Sequence, residues 1–413
     1  MSTPTGVGVP VHLDGHPALS RLVTLPVDEF ASRVWGREPL LSSAAELGCG
    51  FDDLLTPAAV DELVSQHGLR TPFLRVAKGG STYADSQFTD GGGVGAAVAD
   101  QVSDDKLLRL FAEGATMVLQ GLHRTWPAIT AFAQQLSADL GHPVQANAYV
   151  TPPQSTGFSD HYDVHDVFVL QISGEKRWRI HTPVHALPLR DEPWADHRAA
   201  VETAAATPPL IETTLRPGDC LYLPRGYLHA ATAMGGVSTH LTLGVHTWTV
   251  RHVADAMIEQ AVRRASAGSV LRQSLPLGVD LGDPDDLGAA TEAARAELVR
   301  AIEALDAGDL AQALGVRSRR SQRAAPVAPV AQTQAAARVG ELGRVALRPH
   351  LMAKIQVGAD GVTRLVSRAA PVDLDATSVV AVRRLLAERE AVVPDLGTDL
   401  TRRLLLAGVV TPA

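Results

Sequence analysis

Three textures follow one another along the chain. Through residues 20–110 apolar positions recur at helical spacing: Phe30, Val34 and Trp35 precede Pro39, and Thr56-Pro57 opens a run through Leu63. Short helices and loops are expected there, with the glycine run 91–95 as a mobile loop. Between 114 and 248 the pattern shifts to short β-rich runs, at Met117–Leu119, Asn147–Val150, Val167–Ile172, Arg177–His181, Cys220–Leu223 and Thr239–Val245, parted by Pro and Gly turns. Strands at that spacing predict a β-sandwich or barrel. After Trp248 the helical period returns, with Val253, Met257, Ala261 and Val262 on one face, and Leu298, Ile302 and Leu305 on another after Pro284. The Ala/Pro/Gln/Arg-rich stretch 317–338 reads as a linker. Beyond it the pattern predicts a hairpin turning at Asp360-Gly361 and helices over 376–389 and 398–407, the size and order of a winged-helix module. No short-period repeat is found.

Composition narrows this picture modestly. A chain of 413 residues suits two to four domains. Aromatics make up only 4%, so the core leans on Val, Leu and Ala. The net charge of -8 argues against a polyanion as main partner and permits a basic protein. Cys49 and Cys220 are too few for a disulfide framework or a Cys-rich zinc site and fit a reducing cytosol. The N-terminus carries Asp14 and prolines rather than a basic segment with an apolar run, and no stretch of about 18 apolar residues occurs. Neither signal peptide nor membrane span is therefore expected, and a cytoplasmic location is. Only Lys78, Lys106, Lys176 and Lys354 are lysines among 37 basic residues, which makes a lysine at a site position more informative.

The candidate chemistry lies in Asp160-His161-Tyr162-Asp163-Val164-His165-Asp166. On a helix His161 and His165 would share a face; on a strand His161 and Asp163 would. Pro152, Pro153 and Gly157 upstream and the β-branched run 167–172 downstream favour the strand. A lone His-x-Asp is ordinarily surface decoration. Here a second segment, Pro217-Gly218-Asp219 through Pro224-Arg225-Gly226-Tyr227-Leu228-His229, supplies a strand-starting turn, a strand-ending turn and a histidine able to swing back. His161, Asp163 and His229 are thus the expected ligands. Two histidines and a carboxylate suit octahedral iron(II) with open positions for a 2-oxoacid and dioxygen, and would also hold zinc.

The run His161-Tyr162-Asp163…Asp166-Val167-Phe168-Val169-Leu170-Gln171-Ile172-Ser173-Gly174-Glu175-Lys176-Arg177-Trp178 resembles the iron-binding core of the JmjC/cupin-like ribosomal oxygenases. Asn147-Ala148-Tyr149-Val150-Thr151-Pro152, Ser238–Leu243 and Phe30…Trp35-Gly36-Arg37-Glu38-Pro39-Leu40 match as well. The resemblance implies an α+β chain with a double-stranded β-helix core. The expected parts are an N-terminal helical extension (1–110), a catalytic barrel (111–250), a helical dimerisation region (251–316), a linker (317–338) and a winged-helix-like domain (339–413). It further implies Fe(II), 2-oxoglutarate as co-substrate, and hydroxylation of a histidine or arginine side chain on a ribosomal protein. Two other readings of the same site are an oxygenase tailoring a small molecule or biosynthetic peptide, and a non-catalytic metal-binding scaffold.

A 2-oxoglutarate pocket needs a cation for the distal carboxylate. Lys176 follows the Ser173-Gly174-Glu175 turn on the face of Trp178 and Ile180. It is a solvated hairpin lysine on local grounds and that cation on the strength of the resemblance. Asn147 and Thr242 are candidate neutral donors or strand packing, and His240 either lines the pocket or is a satisfied core histidine. His165, His181 and His185 read as surface or turn residues. Asp166 could hydrogen-bond a ligand histidine, though a solvated carboxylate is the commoner fate. Arg177 and Arg179 should point away toward solvent or acidic neighbours. At Gly244 the chain lacks the side chain that eukaryotic members place at the substrate pocket. Helices over 251–316 either pair two copies or pack on the barrel. In the tail, Arg402 and Arg403 lie near Asp395 and Asp399, so protein contact is expected there rather than direct nucleic-acid binding.

Overall fold

A computed structural model describes residues 15–358 and 360–413. The first fourteen residues, Asp14 and the start of the 1–110 extension among them, lie outside the described residues. The chain divides into two compact units, Met1–Thr247 and Trp248–Ala413.

Among the described residues the first unit holds eleven strands: β1 Leu40–Ser42, β2 Leu74–Lys78, β3 Ser81–Thr82, β4 Thr89–Asp90, β5 Gln101–Val102, β6 Thr116–Leu119, β7 Val144–Thr151, β8 Asp166–His181, β9 Ile211–Leu215, β10 Cys220–Leu223 and β11 Leu228–Val245. All but β4 and β5 join one antiparallel sheet in the order β1-β10-β8-β11-β7-β6-β2-β3, with β9 also on β8. The 20–110 segment is therefore not helices and loops alone. Helix Pro57–Gln66 forms as expected, its Thr56 hydroxyl accepting the Ala59 N–H at 3.1 Å. But β1 and the β2–β3 hairpin extend the main sheet. Gly79-Gly80 makes that hairpin turn with φ +57° and +83°, a conformation glycine adopts without strain.

The two runs expected either side of Ser173-Gly174-Glu175 are one strand, β8. Its first half pairs with β10 and residues 239–245 of β11, its second half with β9 and residues 228–234. Instead of reversing the chain, the segment bulges. Gly174 sits at φ +65° so close to β11 that a Cβ would come 2.2 Å from the Val237 carbonyl oxygen. The buried Gln171 amide donates to the carbonyls of Ser173 and Gly174 and to Ser238 Oγ, at 2.9, 3.0 and 2.9 Å, and pins the bulge. β11 likewise begins eleven residues before the Thr239 start read from the sequence, through the small-residue run Leu228–Ser238.

The main core packs beneath this sheet, from Leu19 through Phe30, Leu63 and Phe132 to Phe168 and Leu243. Tyr222 ties the N-terminal segment to it: Gly36 N–H donates to the Tyr222 hydroxyl (2.8 Å), which donates to Asp166 (2.7 Å). Asp166 is fully buried and also accepts the Arg225 N–H at 3.0 Å. It is thus neither solvated nor bonded to a ligand histidine; it clamps the turn that delivers His229.

In the second unit, helices Val250–Ala265, Pro284–Glu303 and Ala307–Ser321 enclose a small core of Ala261, Ala265 and Ala301. The stretch 317–338 is not an open linker: the third helix runs into it, and Pro329–Ala337 is helical with Gln332 and Ala336 buried. An Ala/Gln composition favours helix once one face finds a core. The remainder contains two three-stranded antiparallel sheets and helices Ala376–Glu388 and Thr398–Leu406. No described helix is long and apolar enough to cross a membrane.

Candidate metal centre and its cavity

His161 and Asp163 share a direction as strand parity requires, yet the segment is not a strand. It makes a single β-bridge, His161 to His229, with N–H···O bonds of 3.2 and 2.8 Å, and Asp163 O accepts from Gly226 N at 3.0 Å. β8 begins only at Asp166. Tyr162 points the other way, 1% exposed, its hydroxyl donating to Glu192 O at 3.0 Å. Alternation therefore survives in an extended loop because the residue between the two polar groups is anchored in an apolar cluster with Val201 and Leu228. His229 is the second residue of β11, opposite Ile180.

The three residues each present a ligand atom, all within 4.8 Å of one another. His161 donates Nδ1–H to Ser159 O (2.8 Å) and His229 donates Nδ1–H to Tyr227 O (3.1 Å). Each bond fixes the tautomer whose bare Nε2 is free to ligate. His229 Nε2 stands 3.8 Å from Asp163 Oδ2. Burial pushes the His229 imidazole down to about 4, with His161 adding to the shift, so it is neutral near pH 7. For Asp163 burial acts upward, but the fields of His165, His161, His229 and Arg75 outweigh it and keep the carboxyl below its usual range. An N₂O donor set on one side of a cavity, with lone pairs already aimed, fits a divalent metal with open positions.

The triad opens on a cavity of about 240 Å³. Lys176 lies in its wall, 4% exposed, which removes the solvated-hairpin alternative. Its ammonium donates to Thr151 Oγ1 at 3.1 Å and has no ion pair among the described residues. Desolvation lowers its pKa to about 7. Thr242 also lines the cavity, whereas Asn147 does not: its side-chain oxygen accepts the Gly121 N–H at 3.0 Å. His240 is buried in the wall, stacked on Tyr149 at 4.9 Å, with Nδ1 unpartnered. Burial raises the Tyr149 hydroxyl to about 12 and keeps it a donor. Arg177 and Arg179 face outward to Glu212 and Asp160 as expected. Of the histidines read as surface residues, His181 is instead 3% exposed. His165 stacks on His246 at 5.2 Å and fills the space over Gly244, where a Cβ would meet its ring at 2.6 Å.

Sequence reading missed Arg75, Tyr149, Phe158 and Trp194 in this wall. The alternation Leu74-Arg75-Val76 before Gly79-Gly80 was a hairpin signal for the first.

Residues 123–253 match the family model of the JmjC domain. Ribosomal oxygenase 1 of Homo sapiens is 30% identical over 267 residues, 62% of this chain and 38% of its own length. The bifunctional lysine-specific demethylase and histidyl-hydroxylase NO66 of Aedes aegypti is 29% identical over 223 residues, 54% of this chain and 33% of its own. The chain thus carries a JmjC domain and is similar to the ribosomal oxygenases over its first unit. It spans well under half the length of those two relatives. The Escherichia coli ribosomal oxygenase YcfD, solved in complex with cobalt and 2-oxoglutarate, shares the fold: TM-score 0.55 at 15% identity, covering 94% of this chain and 99% of that one.

Proposed function

We propose that this JmjC protein is an Fe(II)- and 2-oxoglutarate-dependent oxygenase that hydroxylates a histidine or arginine side chain of a ribosomal protein. The observation that carries the reading is that one cavity holds the His161–Asp163–His229 donor set and an unpaired buried ammonium, Lys176. Iron(II) with 2-oxoglutarate supplies oxidative decarboxylation of the oxoacid to succinate and carbon dioxide, with one atom of dioxygen entering a C–H bond. The protein's part is to hold and orient. His161, Asp163 and His229 would take the metal, with backbone carbonyls fixing both imidazoles. Lys176, backed by Thr151, would take the distal carboxylate, since a buried ammonium is retained only when an anion compensates it. Phe158 and Trp194 flank His161 at 6.1 and 6.4 Å and give the metal end an apolar side. The named activities of the relatives, a ribosomal oxygenase and a histidyl hydroxylase, support a protein substrate.

In this reading the enzyme is cytoplasmic, the helices of 251–316 pair two copies, and the winged-helix-like tail makes protein contacts. Arg402 and Arg403 are already engaged there, with the carbonyls of Ala336 and Asp373. The test is mass spectrometry of ribosomal proteins from a deletion strain, incubated with iron-loaded enzyme and 2-oxoglutarate. A gain of one oxygen on one side chain is expected, absent with His161→Ala, which should also abolish stoichiometric metal. Unchanged metal content in H161A, or no 2-oxoglutarate binding by the loaded protein, sinks the reading.

A further inference from the structure

Lys176 is not the only cation of the cavity. Arg75 on β2 stands opposite Val118 of β6, which faces Tyr149 of β7, which faces His240 of β11. This row across four strands runs along the cavity wall and brings the guanidinium to it. The guanidinium lies 5.6 Å from the Phe158 ring centroid, and that ring is 6.1 Å from His161. Among the described residues the Arg75 side chain makes no ion pair or hydrogen bond, and its Nε is shut away from solvent without a partner. A guanidinium is charged at any working pH and carries five donors in a fixed fork. Leaving it unpaired beside a ring is costly unless an anion arrives to meet it.

The two cations serve different ends. Lys176 pairs with Ala233 and His229 with Ile180, four residues apart on both strands, or roughly 13 Å of sheet. The ammonium bonds to Thr151, in the row beyond Tyr149. Arg75 instead stands against Phe158, the ring that flanks His161 of the triad.

We infer that Arg75 binds the anionic group at the metal end of the cavity, the 1-carboxylate of the oxoacid, while Lys176 takes the distal carboxylate. This rests on the oxygenase reading above. It makes Arg75 a binding residue for the co-substrate, contributed by a strand outside the JmjC match at 123–253. It also explains why an arginine of the N-terminal extension is spent on an interior wall rather than on an acidic surface neighbour.

Oxalate separates the two ends, because it chelates a metal and has no distal carboxylate. The full chain loaded with manganese(II) is titrated calorimetrically with oxalate and with 2-oxoglutarate, as wild type, Arg75→Met, Arg75→Lys and Lys176→Met. Loss of a charge-assisted bond should weaken both ligands about tenfold or more in R75M. R75K should recover part of that loss, and K176M should weaken 2-oxoglutarate alone. Manganese affinity itself should not fall in R75M, since a positive neighbour has been removed. Thermal melts identify a variant that fails to fold, in which case R75K against wild type carries the comparison. If R75M binds oxalate as wild type does, the assignment of Arg75 is overturned while the oxygenase reading stands. If wild type binds neither manganese nor 2-oxoglutarate, the oxygenase reading falls and takes this assignment with it.

Discussion

An ammonium 4% exposed, with one hydroxyl partner, is a poor thing for an unliganded fold to keep. Its cost has a measurable pH signature. The Lys176 pKa is about 7 against 10.5 for the free side chain, because burial disfavours the charge. Between those values the unfolded chain holds a proton that the folded chain has lost. Through this group, ligand-free stability therefore rises with pH across that window, and the dependence vanishes below about 7, where both forms are protonated. A bound distal carboxylate has the opposite preference and restores the ammonium. Binding of 2-oxoglutarate should then take up a proton above pH 7, with affinity falling as pH rises, toward about tenfold per unit. Calorimetric titrations at pH 8 in two buffers of different ionisation heat measure the uptake directly. Lys176→Met should bind more weakly and lose the uptake; finding no proton uptake in wild type would remove Lys176 from the carboxylate.

At the scale of elements, the Gly174 bulge sets where Lys176 points. A side chain there meets backbone, the Val237 carbonyl at 2.2 Å and Ser238 Cα at 3.0 Å, and the φ of +65° is unfavourable for an L residue. Gly174→Ala should cost roughly 2–4 kcal/mol in urea melts and weaken 2-oxoglutarate binding as the second half of β8 shifts. Stability and affinity both within error of wild type would show that the bulge is soft. The same bulge marks where sequence reading reaches its limit. Parity found the faces of His161, Asp163 and Lys176, because alternation along an extended backbone is local. It could not tell that β8 continues through Gly174, since a glycine flanked by polar residues is equally a turn; the decision is made by Gln171 and Ser238, 67 residues apart. Burial of Asp166 and His181 was likewise illegible, as each depends on partners brought in by other strands. Arg75 was hidden differently, on a strand obscured by the helical texture around it.

For the whole molecule, the open question is what covers the helices after Trp248. Their shared core is small, built on Ala261, Ala265 and Ala301, and the helices are cross-linked by Arg264 with Asp309 and by Arg317 with Glu259. Ile258 and Val262, one turn apart on the first helix, are left 56% and 44% exposed, and Val299 on the second 46%. Scattered apolar residues are ordinary, but neighbours one turn apart on a helix with so thin a core favour association with a second copy. A stable homodimer buries about 800 Å² per partner, within reach of helices of 16 and 20 residues. Sedimentation equilibrium of the wild type at micromolar concentration should then give twice the chain mass of 43.6 kDa. Ile258→Glu with Val262→Glu should give the single-chain mass. Glutamate is a good helix former and both positions are exposed, so the helix should persist by circular dichroism. The metal ligands lie at 161–229, in the other unit, so manganese affinity should not change. A wild type that sediments as a monomer, or a double variant that still pairs, would move the interface away from this face.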